Sequence, residues 1–135
     1  MGNTYNDPYR EIAIHNSDTL YKLANGIIDS FDFDFEHAFG FYDNLQNFVK
    51  SEEGYELFAD IGEESEFLGV EKTKICDVFD QPGKKMLLIY DYGEEWHFII
   101  EVTGEENDDG SDDYPKVVES HLDAPQQYPE DEDVS

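Results

Sequence analysis

One cysteine, eight basic residues and five prolines are all that this chain of 135 residues carries of those types. The single Cys76 excludes an intramolecular disulfide and suits a reducing compartment, so a cytoplasmic location is expected. No apolar run reaches the ~18–20 residues of a membrane-spanning helix. The polar start MGNTYNDPYR lacks the apolar stretch of a secretory leader. Arg10 and the few lysines are too sparse to lie along a phosphate backbone, which excludes ordinary nucleic-acid binding and anionic membrane surfaces. Also missing are a G-x-S-x-G elbow, a phosphate-cradling glycine loop, H-E-x-x-H and C-x-x-C. No cofactor is therefore expected, and a non-catalytic protein is the first reading.

What the chain has in excess is acid: 34 aspartates and glutamates, for a net charge of −26. Residues 105–113 and 130–133 are the densest runs, yet the remainder is strongly acidic without them. Such charge keeps a protein soluble, with salt screening its self-repulsion. It also fits a basic protein partner, or a decoy that imitates nucleic-acid charge. At this length a single domain can bury a sizeable core without disulfides or metals.

The organisation follows from periodicity. Residues 1–9 read as a disordered lead-in, residues 10–129 as one domain and residues 130–135 as an acidic disordered tail. REIAIH at 10–15 alternates like a strand, with Ile12 and Ile14 inward. Leu20, Leu23, Ala24, Ile27, Ile28 and Phe31 recur at helical spacing behind the Asn16-Ser17-Asp18 start signal, which predicts a helix over 18–30. Strands are expected over 35–42, 55–60, 70–73 and 114–120. A short helix is expected over 74–79, and the 124–129 segment should pack across the domain.

LLIYDYGEEWHFIIEV, residues 87–102, is the most apolar stretch and reads as a β-hairpin. With Gly93-Glu94 as a two-residue turn, Gly93 would take φ > 0 and Asp91 would face Trp96. Leu87, Ile89, Phe98 and Ile100 then share the core face with Asp91 and Trp96. The absence of a strict βαβ rhythm, together with this hairpin, points to an α+β fold. Its sheet should be mostly antiparallel around the hairpin, with one main amphipathic helix and one short one.

Three constellations could carry function. Asp91, Tyr92, Trp96, Tyr114 and Tyr128 would form an aromatic-acidic pocket at the hairpin turn, with Asp91 as polar anchor and the rings as a platform for a protein or small-molecule ligand. The same rings would serve equally as ordinary core. Glu95 and His97 share a strand face about 7 Å apart, and with His37 they could converge on a metal, as a metal-dependent hydrolase would need. They also describe a solvated strand face. Residues 105–116 imitate a calcium loop through Glu105, Asn107, Asp109, Gly110 and Asp113, but Lys116 stands where a bidentate glutamate is required. Cys76, in an apolar segment flanked by acids, reads as core and not as a nucleophile.

Tyr90-Asp91-Tyr92-Gly93-Glu94-Glu95-Trp96 with Ile100-Glu101-Val102 resembles the Y-x-F-G-D-x-W hairpin of the plasmid pRiA4b ORF-3-like family. Tyr114-Pro115-Lys116-Val117-Val118 and Ala124-Pro125-Gln126-Gln127-Tyr128 resemble its later YP…PPQY segment. Phe98 stands where many members carry a histidine, so no role of that histidine passes to this chain. The resemblance implies the fold. The family is uncharacterised, with some relatives carried as passengers of mobile elements.

Overall fold

A computed structural model describes residues 8–62, 67–104, 114–125 and 127. Residues 1–7 of the lead-in expected over 1–9, the loop residues 105–113 and the tail (130–135) lie outside these, whereas Tyr9, the last residue of that lead-in, is the first of a strand.

β1 (Tyr9–Ala13) pairs antiparallel with β6 (Lys116–His121), with a register shift between Glu11 and Ile12. Ile12 and Ile14 pack against the main core, as their alternation implies. α1 (Leu20–Ser30) follows, capped by Thr19, whose extended backbone lets Oγ1 accept from the Lys22 N–H at 3.2 Å. Its apolar stripe of Leu20, Leu23, Ala24, Ile27 and Ile28 is buried. At its far end Asp32 adopts φ 61°, and the N–H groups of Asp32 and Phe33 return to Asp29 O and Ile28 O. This two-bond stop is one that an aspartate can supply in place of glycine.

The remaining strands form one antiparallel sheet in the order β3-β2-β4-β5: β3 (Gly54–Glu56), β2 (Phe39–Tyr42), β4 (Lys85–Tyr90) and β5 (Trp96–Glu101). Phe39, Phe41, Met86, Leu88 and Tyr90 face the core shared with α1, joined by Trp96, Phe98 and Ile100. On the opposite face Tyr42, Leu87 and Ile89 form a smaller cluster with Leu45, Phe48, Phe67 and Tyr92. The architecture is α+β with antiparallel sheets, as the sequence pattern implies.

Four expectations change. The strand expected over 35–42 starts only at Phe39, because the Tyr90 hydroxyl accepts the Glu36 N–H (2.7 Å) and His37 N–H (3.3 Å) and donates to Asp34 O. Backbone groups satisfied this way are not available to a ladder. The strand expected over 55–60 turns after Glu56 into α2 (Leu57–Asp60), and the Asp60 carboxylate then accepts the Val70 and Glu71 N–H groups. The strand expected over 70–73 is absent. Val70 O and Thr73 O instead accept the Tyr21 and Leu20 N–H groups at the start of α1, while Asp18 O accepts the first N–H of α3 (Ile75–Val78). The fourth change is the hairpin register, which pairs Tyr90 with Trp96.

Of the segment expected to pack across the domain (124–129), residues 124, 125 and 127 are described. Ala124 packs on the core, and the buried Gln127 amide accepts from Asp34 N (2.6 Å) and donates to Asp34 O (3.1 Å).

Candidate functional site

The hairpin pairs Tyr90 with Trp96 and Leu88 with Phe98, one residue away from the expected register. Its loop is therefore the five residues 91–95. Gly93 does not take positive φ; Asp91 (φ 66°) and Glu95 (φ 54°) do. Asp91 can do this because its carboxylate replaces a backbone acceptor: Oδ1 accepts from Gly93 N (3.2 Å) and Glu94 N (3.4 Å). The Glu95 N–H closes the loop onto Asp91 O at 2.5 Å. The slip exchanges the faces of β4: Leu87 and Ile89 leave the core face assigned to them, and Met86, Leu88 and Tyr90 occupy it.

This register divides the expected aromatic pocket. Trp96 lies on the core face, edge-on to Phe33 at 4.8 Å, with Nε1 buried and without a hydrogen-bond partner among the described residues. Tyr92 lies on the other face, stacked on Phe58 at 5.1 Å. Tyr114 belongs to the β1–β6 side, edge-on to His15 at 4.5 Å with the Lys116 ammonium 4.6 Å above its ring. Tyr128 lies outside the described residues. Of the five, the structure brings Asp91, Tyr92 and Trp96 into one hairpin, but it does not bring the described rings of Tyr92, Trp96 and Tyr114 onto one platform.

The two candidate histidines form separate pairs, His37 Nε2 with Asp91 Oδ2 at 3.7 Å and His97 Nε2 with Glu95 Oε1 at 3.4 Å. Among the described residues no group of three or more His, Cys, Asp or Glu side chains is arranged to hold a metal ion. Two ligands fall short of the three or four a zinc site uses. Most of the expected calcium loop, residues 105–113, lies outside the described residues.

A polar cluster that the sequence pattern does not single out sits on the Tyr92 face. Tyr42 Oη donates to Glu56 Oε2 at 2.5 Å and lies 2.5 Å from Tyr92 Oη. A phenol has one proton, so Tyr92 is the donor in the second bond and the chain runs Tyr92 to Tyr42 to the Glu56 carboxylate. Burial, then the carboxylate, raises the Tyr42 pKa far above that of free tyrosine, and burial raises that of Tyr92 as well. Both hydroxyls rest over Gly40, where a Cβ would stand 2.6 Å from each oxygen. The glycine inside an aromatic strand is the signal that could have revealed this close approach.

Among the described residues, the hairpin also leaves one edge of the four-stranded sheet open. The other edge strand, β3, is covered by Leu68, which bridges Tyr55 and accepts the Glu56 N–H at 2.9 Å. β5 has no strand on its outer side among the described residues. Its face opposite the core is exposed at His97, Ile99 and Glu101, with Ile99 at 62%. Glu94 and Glu95 are exposed at one end of the strand and Lys85 stands across from Glu101 at the other.

No helix among the described residues is long and apolar enough to cross a membrane. The family model of the plasmid pRiA4b ORF-3-like protein matches residues 3–133. The crystal structure of a protein of unknown function from Methanosarcina mazei Go1 is similar, with a TM-score of 0.63 and 19% identity over 84% of this chain. This chain spans 61% of that protein's length, and at this identity the likeness concerns the fold alone. No curated protein matches the sequence.

Proposed function

The chain belongs to the plasmid pRiA4b ORF-3-like family, and on that premise we propose that it is a non-catalytic interaction module for a protein with a basic surface, engaged on the outer strand of the hairpin. The observation that carries this reading is Ile99. It is an apolar side chain, 62% exposed, in the middle of a regular strand and flanked by His97 and Glu101. A net charge of −26 surrounds it with a field that draws basic partners and repels acidic ones. The acids supply long-range attraction, and Ile99 supplies the contact that a charge field alone does not. A partner that otherwise binds nucleic acid falls within this reading, since its basic surface is what the chain would occupy.

The test uses lysine-rich peptides, with and without a central valine, titrated against the full chain at low and high salt. Binding should weaken with salt for both peptides and be tighter for the valine peptide. Ile99→Thr keeps charge and strand propensity and should remove the valine preference while circular dichroism stays unchanged. Equal binding of both peptides by both proteins would sink the proposal.

A further inference from the structure

We propose that the basic partner docks by adding a strand to β5; this rests on the module reading above and specifies its geometry. The backbone decides which groups are offered. The Val102 N–H donates to Lys84 O at 3.2 Å, so Val102 addresses β4. Hydrogen-bonding direction alternates along an antiparallel strand, so Ile100, Phe98 and Trp96 address β4 as well. The N–H and C=O groups of His97, Ile99 and Glu101 then point to the open side. The same alternation fits the far side of β4, where the Asp91 N–H reaches Ala38 O at 2.9 Å and the ladder with β2 continues through Ile89 and Leu87.

Open sheet edges are normally blunted by lysine, proline or a bulge. β5 reads WHFIIE, without lysine or proline, and its pairing with β4 runs from Trp96 to Glu101 without a register shift. The three residues whose backbone faces outward are also the three whose side chains are exposed on the free face. An added strand would therefore gain main-chain hydrogen bonds and one row of side-chain contacts together, which is how strand addition combines affinity with specificity.

The side chains select the occupant. Opposite Ile99 an apolar residue fits. Opposite Glu101, and beyond His97 toward Glu94 and Glu95, lysine or arginine fits. A second copy of this chain would bring another charge of −26 to the same edge, which disfavours it relative to a basic segment. In the antiparallel sense of the rest of the sheet, the partner reads basic-x-apolar-x-x-x-basic.

The probe is the peptide Lys-Thr-Val-Thr-Thr-Thr-Lys and two versions carrying one backbone N-methyl group, at the third or the fourth residue. Side chains and charge are identical in all three. The third residue sits opposite Ile99 and its N–H points into β5, so its methylation should weaken binding by about tenfold or more. The fourth N–H points away, and its methylation should leave affinity within about threefold. Hydrogen exchange at the Ile99 amide should also slow when the unmethylated peptide binds. If the peptide binds but both methylations act alike, strand addition is wrong while a basic-partner module survives. If it fails to bind, the docking pattern is overturned, and the valine-preference test above judges the module reading separately. Self-association of the free chain that Ile99→Lys abolishes would assign the edge to a second copy and overturn the basic occupant.

Discussion

Tyr42 shows how much one hydroxyl can settle. Its proton goes to Glu56, its lone pairs receive Tyr92, and its ring is 1% exposed. Tyr42→Phe removes the acceptor of the Tyr92 hydroxyl and one hydrogen bond to the Glu56 carboxylate. The expected cost is roughly 1.5–3 kcal/mol, the range for a hydrogen bond to a charged group. The pH dependence gives a second readout. Tyr42, Tyr55 and Tyr92 all have folded pKa values raised above that of free tyrosine, chiefly by burial. The unfolded chain releases these protons near pH ~10, while the native state holds them. Stability from this source is thus full below about pH 10 and is lost as pH rises beyond it. Urea unfolding at about pH 8 and about pH 11 should show wild type losing more stability across the interval than Tyr42→Phe. Equal losses would mean that the Tyr42 hydroxyl ionises as readily in the native state as in the unfolded chain.

At the scale of elements, the hairpin turn is held by Asp91 and not by the glycine that marks it. Asp91→Ala removes the acceptor for two loop N–H groups and places an alanine at φ 66°. The expected loss is about 1–3 kcal/mol. Asp91→Asn keeps the acceptor and tolerates that backbone, so it should lose less than half as much. Comparing the two denaturation midpoints checks this; if asparagine is as damaging as alanine, the charge toward His37 matters more than the turn. The error in register has a related physical origin. β5 alternates half-buried and exposed residues, and the sequence assigns its faces correctly. β4 is central, and five of its six residues are buried, so its composition casts no vote between faces. Register then depends on the loop, and a five-residue loop around an aspartate resembles a two-residue turn at glycine when only letters are read. α1 was legible to within two residues, because its period is local, although its cap is Thr19 and none of the Asn16-Ser17-Asp18 residues read as the start signal. The late start of β2 was not, because the Tyr90 hydroxyl that diverts residues 34–37 lies more than fifty positions away in the chain. The open edge of β5 was hidden for the same reason, since strand order is a property of the whole sheet.

For the whole molecule, charge was fully legible and its consequences have two signs. Within the chain, 34 acids face 8 bases. The lysine–carboxylate pairs among the described residues are modest: Lys84–Glu53 at 3.3 Å and Lys22–Asp18 at 3.7 Å, each at least partly exposed. Exposed pairs of this kind contribute about 0–1 kcal/mol. Salt therefore screens far more repulsion than attraction, and sodium chloride should raise the thermal midpoint by roughly 2–8 °C for each kcal/mol of repulsion relieved. Between the chain and a basic partner the sign reverses, and the same salt should weaken binding. Thermal unfolding and peptide titration across one salt series measure both effects on a single preparation. A midpoint that falls with salt would mean that the ion pairs, not the excess charge, govern the fold. A midpoint that rises while peptide affinity stays flat would confine the acid to solubility and leave Ile99 to recognise its partner by apolar and main-chain contacts alone.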